Sequence, residues 1–232
     1  MDLTRALGYA FEDEEWLPKL AITAGILLVS VILLPFLIGF VGLAALGGYL
    51  VELVRNVRDG NPRPLPRWDD YGDKIAKGAN VLLAAIVYQI PNVLVSGCLW
   101  VFSASVGDSL VGGGMNLALT CCALPLIVIY NLILWPMLAL GIARYAEEGN
   151  VGVFFQFSDL FATVQRSLSI SLQYILYTLI VSFLLGLVGA IPCLGWIASA
   201  AMAIPVHGYL IAHYAELADD KPKRKVKPRA GY

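Results

Sequence analysis

The chain has 232 residues, of which 59% are hydrophobic and only 14% charged, with a mean hydropathy of +0.74. A water-soluble domain carries about 25% charged residues, so composition excludes a soluble enzyme domain and a basic nucleic-acid-binding module. The net charge of −1 averages a segregated pattern, because 20–51, 78–107, 109–143 and 167–215 contain no Asp, Glu, Lys or Arg. Each stretch exceeds the roughly 20 apolar residues that cross a bilayer. The class predicted is an all-α polytopic transmembrane helical bundle.

The N-terminal "MDLTRALGYAFEDEEW" is acidic and amphipathic, where a cleavable signal is basic and then apolar. Insertion is therefore expected to use the first spanning helix. As one helix, 20–51 would be about 48 Å long, and it divides at "PFLIG" (35–39) into helices over about 17–34 and 38–56. The polar segment "RPLPRWDDYGDKIAKG" (63–78) leads into a third helix over 75–103. A glycine-rich outer loop, "VGDSLVGGGMN" (106–116), precedes a fourth over 116–146. The stretch 167–215 would be roughly 73 Å long as one helix. Pro192 and Gly195 in "AIPCLGW" (190–196) break it into helices over 165–190 and 195–216.

Six helices arranged as three hairpins place all 16 Lys and Arg on one side and leave Asp108 alone on the other. Five helices would strand Arg5 and Lys19 on the wrong side. The positive-inside rule therefore predicts six, with both termini cytoplasmic. Residues 1–217 form the transmembrane domain. The segment 218–232, with six basic residues and prolines, is expected to be a disordered cytoplasmic tail attracting anionic lipid headgroups.

The hairpins share flanking chemistry. "FEDEEWLPKL" (11–20), "WDDYGDKIAK" (68–77) and "FSDLFATVQR" (157–166) each run from an aromatic through an acid to a base as the chain enters the membrane. "GYLVELVRNVRDGN" (48–61), "GIARYAEEGN" (141–150) and "GYLIAHYAEL" (208–217) leave it alike. Duplication of a hairpin and shared interfacial chemistry both give this pattern.

Leu65, Pro66, Trp68, Asp69, Asp70 and Tyr71 form the densest motif. Prolines at 62, 64 and 66 hold it extended. Asp69 or Asp70 is expected to cap the next helix, and Trp68 and Tyr71 to sit among headgroups. Lys74 and Lys77 are expected to snorkel to lipid phosphates. "LPRWDDYG" (65–72) after "RDGNP", with "GYL" upstream and "FEDEEW" before the first helix, resembles the prokaryotic membrane family catalogued as domain of unknown function 4013. The resemblance covers most of 1–217 and implies a multi-helix integral membrane protein of a prokaryotic cell membrane. It implies no activity and no catalytic residue.

Polar residues inside apolar spans mark candidate functional positions, because they are costly in hydrocarbon. The third helix carries Asn80, Gln89 and Asn92 around Pro91, and the fourth carries Asn131 between Pro125 and Pro136. The fifth has Gln173, and the sixth has Pro205 and His207. Gln89, Asn92, Asn131 and His207 are the candidates to line a path between proline-broken helices. Interhelical hydrogen bonding is the plainer role for them.

Cys98, Cys121, Cys122 and Cys193 lack metal-site spacing and are expected to be buried small hydrophobes. A Cys98–Cys193 bridge is the alternative. His207 and His213 do not share a helical metal-binding face, and no catalytic constellation appears. Neither cofactor nor nucleic acid is expected. The function expected is that of a non-enzymatic scaffold or accessory membrane subunit, assembling with a membrane protein or with itself. A small-solute transporter or channel is the alternative.

Overall fold

A computed structural model describes residues 3–106, 110–192 and 194–219. The elements are α1 (Leu3–Gly8), α2 (Trp16–Leu33), α3 (Gly39–Arg58), α4 (Tyr71–Val106), α5 (Leu110–Glu148), α6 (Phe157–Arg166), α7 (Leu168–Gly189) and α8 (Leu194–Ala218). Short 3-10 turns stand at Tyr9–Glu12, Leu34–Phe36 and Val151–Phe155. No strand occurs among the described residues. Six helices, α2, α3, α4, α5, α7 and α8, are long and apolar enough to cross a membrane. Asp108, Cys193 with its proposed bridge, and tail residues 220–232 lie outside the described residues.

Consecutive spans pack together as α2–α3, α4–α5 and α7–α8. Helix α3 is the hub, touching α2, α4, α5 and α8. Its small residues explain why. Lipid is as apolar as a leucine side chain, so helices in it associate through close packing and polar contacts. A methyl group added at Gly78 of α4 would overlap the Ala44 carbonyl, and one at Gly48 would overlap the Lys74 carbonyl. On the other flanks Gly42 faces Ser30 of α2, and Gly208 of α8 faces Leu53. The first hairpin turns at the predicted "PFLIG", where Leu37 takes φ +62°.

The boundaries differ from expectation in three places. Helix α4 begins at Tyr71, four residues early. Helix α5 begins at Leu110, so Gly112, Gly113 and Gly114 are helical and the loop expected over 106–116 is far shorter. Asn116 Nδ2 donates to Ser103 Oγ at 2.9 Å and joins the two helix ends. The helix expected over 165–190 starts at Leu168 and runs to Gly189, because the chain breaks at Ser167 (φ −106°, ψ 40°). That leaves α6 as a separate amphipathic helix which buries Leu160, Thr163 and Val164.

Helix α4 has 36 residues and α5 has 39, whereas α2, α3, α7 and α8 have 18 to 25. At about 1.5 Å per residue the middle hairpin runs roughly 54–58 Å and its neighbours roughly 27–38 Å. The most completely buried side chains, including Tyr49, Leu53, Leu140, Phe154 and Tyr214, gather toward the charged ends of the helices. The longest hairpin is the least covered in its apolar middle, where an 18-residue stretch is 17% buried in α4 and 6% buried in α5.

Candidate functional site

The charged ends of the helices are knitted together by buried ion pairs. Lys19, at the start of α2, donates through Nζ to both carboxylate oxygens of Asp13 at 2.9 Å and to the Leu65 carbonyl at 3.1 Å. Asp13 is 1% exposed and Lys19 6%. A pair this deeply buried is sustained by mutual charge and complete hydrogen bonding, since either group alone is costly to bury. The bond to Leu65 ties the proline-rich segment to α2. Asn56 Nδ2 donates to the Pro64 carbonyl at 3.1 Å and ties the same segment to α3.

Trp68 is built into this junction. Its ring stacks on Tyr49 at 4.7 Å and on Tyr71 at 6.0 Å. Its Nε1 donates to the Lys19 carbonyl and to Thr23 Oγ1, each at 3.2 Å. The headgroup role expected for Trp68 is therefore corrected: its indole N–H is spent on protein. Tyr71 does remain 48% exposed.

The lysines expected to reach lipid phosphates are corrected as well. Lys74 is 1% exposed, and its Nζ meets Glu52 Oε2 at 3.0 Å, the Asp69 carbonyl at 2.8 Å and Asp69 Oδ1 at 3.2 Å. Lys77 pairs with the same Glu52 at 3.2 Å and with Asp73. The Asp69 carboxylate thus engages Lys74, in place of the expected helix cap. Asp70 is exposed at φ +45°, and its carbonyl accepts from Lys74 N. The close approach of Gly48 and Gly78 is what brings Glu52 of α3 against Lys74 and Lys77 of α4.

A second hub forms around Arg144 of α5, which is 2% exposed. Its Nε and Nη2 donate to Asp219 at 2.9 and 3.2 Å. Nη1 reaches Asp159 of α6, and Nη2 reaches Thr163 Oγ1 at 3.1 Å. One guanidinium fork, with donors in a fixed plane, thereby joins α5, α6 and the end of α8. Residues 218 and 219 were expected in the disordered tail. Instead α8 runs through Ala218, and Asp219 N donates to the Ala215 carbonyl. Nearby, Arg58 of α3 pairs with Glu147 of α5 at 2.9 Å. Tyr9 donates to the Pro205 carbonyl of α8 at 2.8 Å, and burial holds its hydroxyl well above the ordinary tyrosine range, so it stays a donor.

Of the four path candidates, three come together. Asn92 and Asn131 exchange amide hydrogen bonds at 3.2 and 3.3 Å across α4 and α5. Asn92 Nδ2 also donates to Gln89 Oε1. Asn131 Nδ2 also donates to the Ile127 carbonyl at 2.8 Å. His207 is not with them: its ring nitrogens face Ser182 of α7 at 3.3 Å and the Ala203 carbonyl at 2.7 Å. The breaks expected at the prolines around the path candidates are absent, since α4 continues through Pro91, α5 through Pro125 and Pro136, and α8 through Pro205. Cys98, Cys121 and Cys122 are exposed on the middle hairpin, correcting the expectation of buried thiols.

Asp13, Lys19 and Asp159 all sit in the aromatic–acid–base segments, so the sequence pattern carried a signal for them. Arg144 and Glu52 carried only their place near a helix end, and Asp219 carried none.

Fold and sites together define a polytopic α-helical bundle, membrane-embedded through six apolar helices, with its ion pairs gathered at one end. Residues 26–197 match the family described as "Protein of unknown function (DUF4013)", and the chain belongs to that family. The matched region contains Trp68, Lys74, the three amides, Arg144 and Asp159, while Asp13, Lys19, His207 and Asp219 fall outside it. No curated protein and no solved structure matches.

Proposed function

We propose that this chain is a non-enzymatic membrane scaffold or accessory subunit, with its charged end facing the cytoplasm of a prokaryotic cell. The observation that carries the reading is the division of the molecule into a locked end and an uncovered hairpin. At the charged end, Lys19, Lys74 and Arg144 are buried and paired within the chain. Such an end holds its helices in place and gives a rigid base. The α4–α5 hairpin outlasts its neighbours and presents apolar faces with few neighbours of its own, as an assembly element does.

Purification from native membranes in mild detergent tests this. The expected result is a second, different protein recovered in stoichiometric amount. Recovery of this chain with no other protein would overturn the accessory-subunit reading. The alternative of a solute path at the amide cluster has its own outcome. Liposomes that leak small solutes through the wild-type chain, but not through Asn131→Leu, would replace the scaffold with a transporter.

A further inference from the structure

Between α5 and α7 the chain folds back along the apolar parts of its neighbours. Phe154 lies so close to Gly141 of α5 that a methyl group there would overlap its ring. The Phe154 carbonyl accepts from the Tyr88 hydroxyl of α4 at 2.7 Å. Gly141 and Tyr88 both belong to stretches without Asp, Glu, Lys or Arg, 109–143 and 78–107. The 3-10 turn Val151–Phe155 therefore stands beside the charge-free parts of two spanning helices. Helix α6 starts two residues later, and the Phe157 ring is 5.2 Å from that of Tyr88.

The sides of α6 differ in chemistry. Leu160, Thr163 and Val164 are buried, and Asp159 and Thr163 engage Arg144. Phe157 and Phe161 are four residues apart and so share a side. Phe155 meets Phe157 edge-on at 6.3 Å. These three phenylalanines are 39–44% exposed. Ser158, Ala162, Gln165 and Arg166 are exposed as well. Arg166 has no ion pair among the described residues. It stands nine residues from Phe157, about 14 Å along the helix.

The connections of α6 fix where it sits. Ser167 alone separates it from the spanning α7, and Arg144 clamps it to the end of the spanning α5. A short amphipathic helix held at that level lies in the interface, with its apolar side at the boundary of headgroups and acyl chains.

We propose that residues 151–168 form an interfacial lipid-binding segment. Phe155, Phe157 and Phe161 lie among acyl chains, and Arg166 binds the phosphate of an anionic lipid in the same leaflet. A long arginine stem keeps to apolar surface while its head reaches water, and the planar guanidinium matches two phosphate oxygens. This contact is separate from the basic tail and does not depend on a partner protein at the α4–α5 hairpin.

Nitroxide labels on the full chain, with its four cysteines replaced by serine, test the insertion in vesicles of equal parts phosphatidylcholine and phosphatidylglycerol. A label at Phe161→Cys is expected to be relaxed by oxygen and shielded from a water-soluble nickel chelate. At Ala162→Cys, about 100° around the helix, the reverse is expected. Equal nickel access at the two positions would overturn the proposal, because water then covers the phenylalanines. Shielding of Phe161→Cys from both relaxants would overturn it too, because protein then covers them. A fluorophore at Ala162→Cys, one turn from Arg166, tests the headgroup, with either phospholipid carrying a nitroxide quencher near its headgroup. Phosphatidylglycerol is expected to quench at about fivefold lower mole fraction than phosphatidylcholine. Arg166→Gln is expected to abolish that preference and Arg166→Lys to retain most of it. Equal quenching by the two lipids, or a preference that Arg166→Gln leaves intact, would overturn the proposal as well.

Discussion

Trp68 concentrates in one side chain what the polar segment 63–78 does. It packs between two tyrosines and donates to both a backbone carbonyl and a hydroxyl of α2. Trp68→Ala is expected to cost about 3 kcal/mol, near the low end for large-to-small core changes because the residue is half-buried. The check is thermal unfolding in detergent, and an unchanged midpoint would return Trp68 to the headgroup layer. Arg144 makes a sharper case. Arg144→Met leaves Asp219, with its side chain 8% exposed, without its guanidinium, and a broken buried pair costs about 3–5 kcal/mol. The double variant Arg144→Met with Asp219→Asn is expected to recover much of that loss in the same measurement. A double variant no more stable than Arg144→Met would show that the two side chains act separately.

At the scale of helices, glycines in the two halves of the molecule have opposite duties. Gly78 allows α3 and α4 to touch backbone to backbone, and Gly78→Val is expected to abolish a monodisperse folded species on size exclusion. Gly113 and Gly114, in α5, have nothing within 4 Å of where a side chain would begin. Changing both to alanine is expected to stabilise the protein by about 0.5–1 kcal/mol per site, the difference in helix propensity. Destabilisation on calorimetry would mean that this segment is not helical in the membrane.

The same contrast explains what the amino-acid pattern revealed. Spans could be read because charge is excluded from hydrocarbon, and the turn at Pro35–Gly39 because proline and glycine mark it. The start of α5 was missed because a glycine run reads as loop, and the bond from Asn116 to Ser103 that joins the two helix ends spans 13 residues of sequence. The break at Ser167 was missed because no proline or glycine flags it where the amphipathic α6 meets the apolar α7. At the site, Trp68 and Asp69 stood out by composition. The partners of Arg144 did not, since 15 residues separate it from Asp159 and 75 from Asp219. A single sequence carries no sign of pairing across such distances. Lys74 was misjudged for a related reason: the glycine contact that buries it is a property of two helices together.

For the whole molecule, the mismatch in helix length has a measurable outcome. Leu117 of α5 is 67% exposed and 27 residues from Arg144, about 40 Å along the helix, against a hydrocarbon core of about 30 Å. In a cysteine-free background Leu117→Cys is expected to react with an impermeant maleimide in sealed cells, as is Leu37→Cys at the first turn. Leu132→Cys, at mid-span, is expected to be protected. Protection of Leu117→Cys would mean that the hairpin lies steeply tilted within the bilayer.

The clasp between Arg144 and Asp219 also sets a schedule for biogenesis. Arg144 leaves the ribosome 75 residues ahead of its main counter-charge, and Asp159 and Thr163 follow it far sooner. Until the last turn of α8 has been made and inserted, the middle hairpin carries a guanidinium only partly neutralised. The newborn protein thus has a built-in waiting period, in which Asp159 and Thr163 are the partners already at hand. Emergence of Asp219, at the end of α8, is the event that closes the molecule.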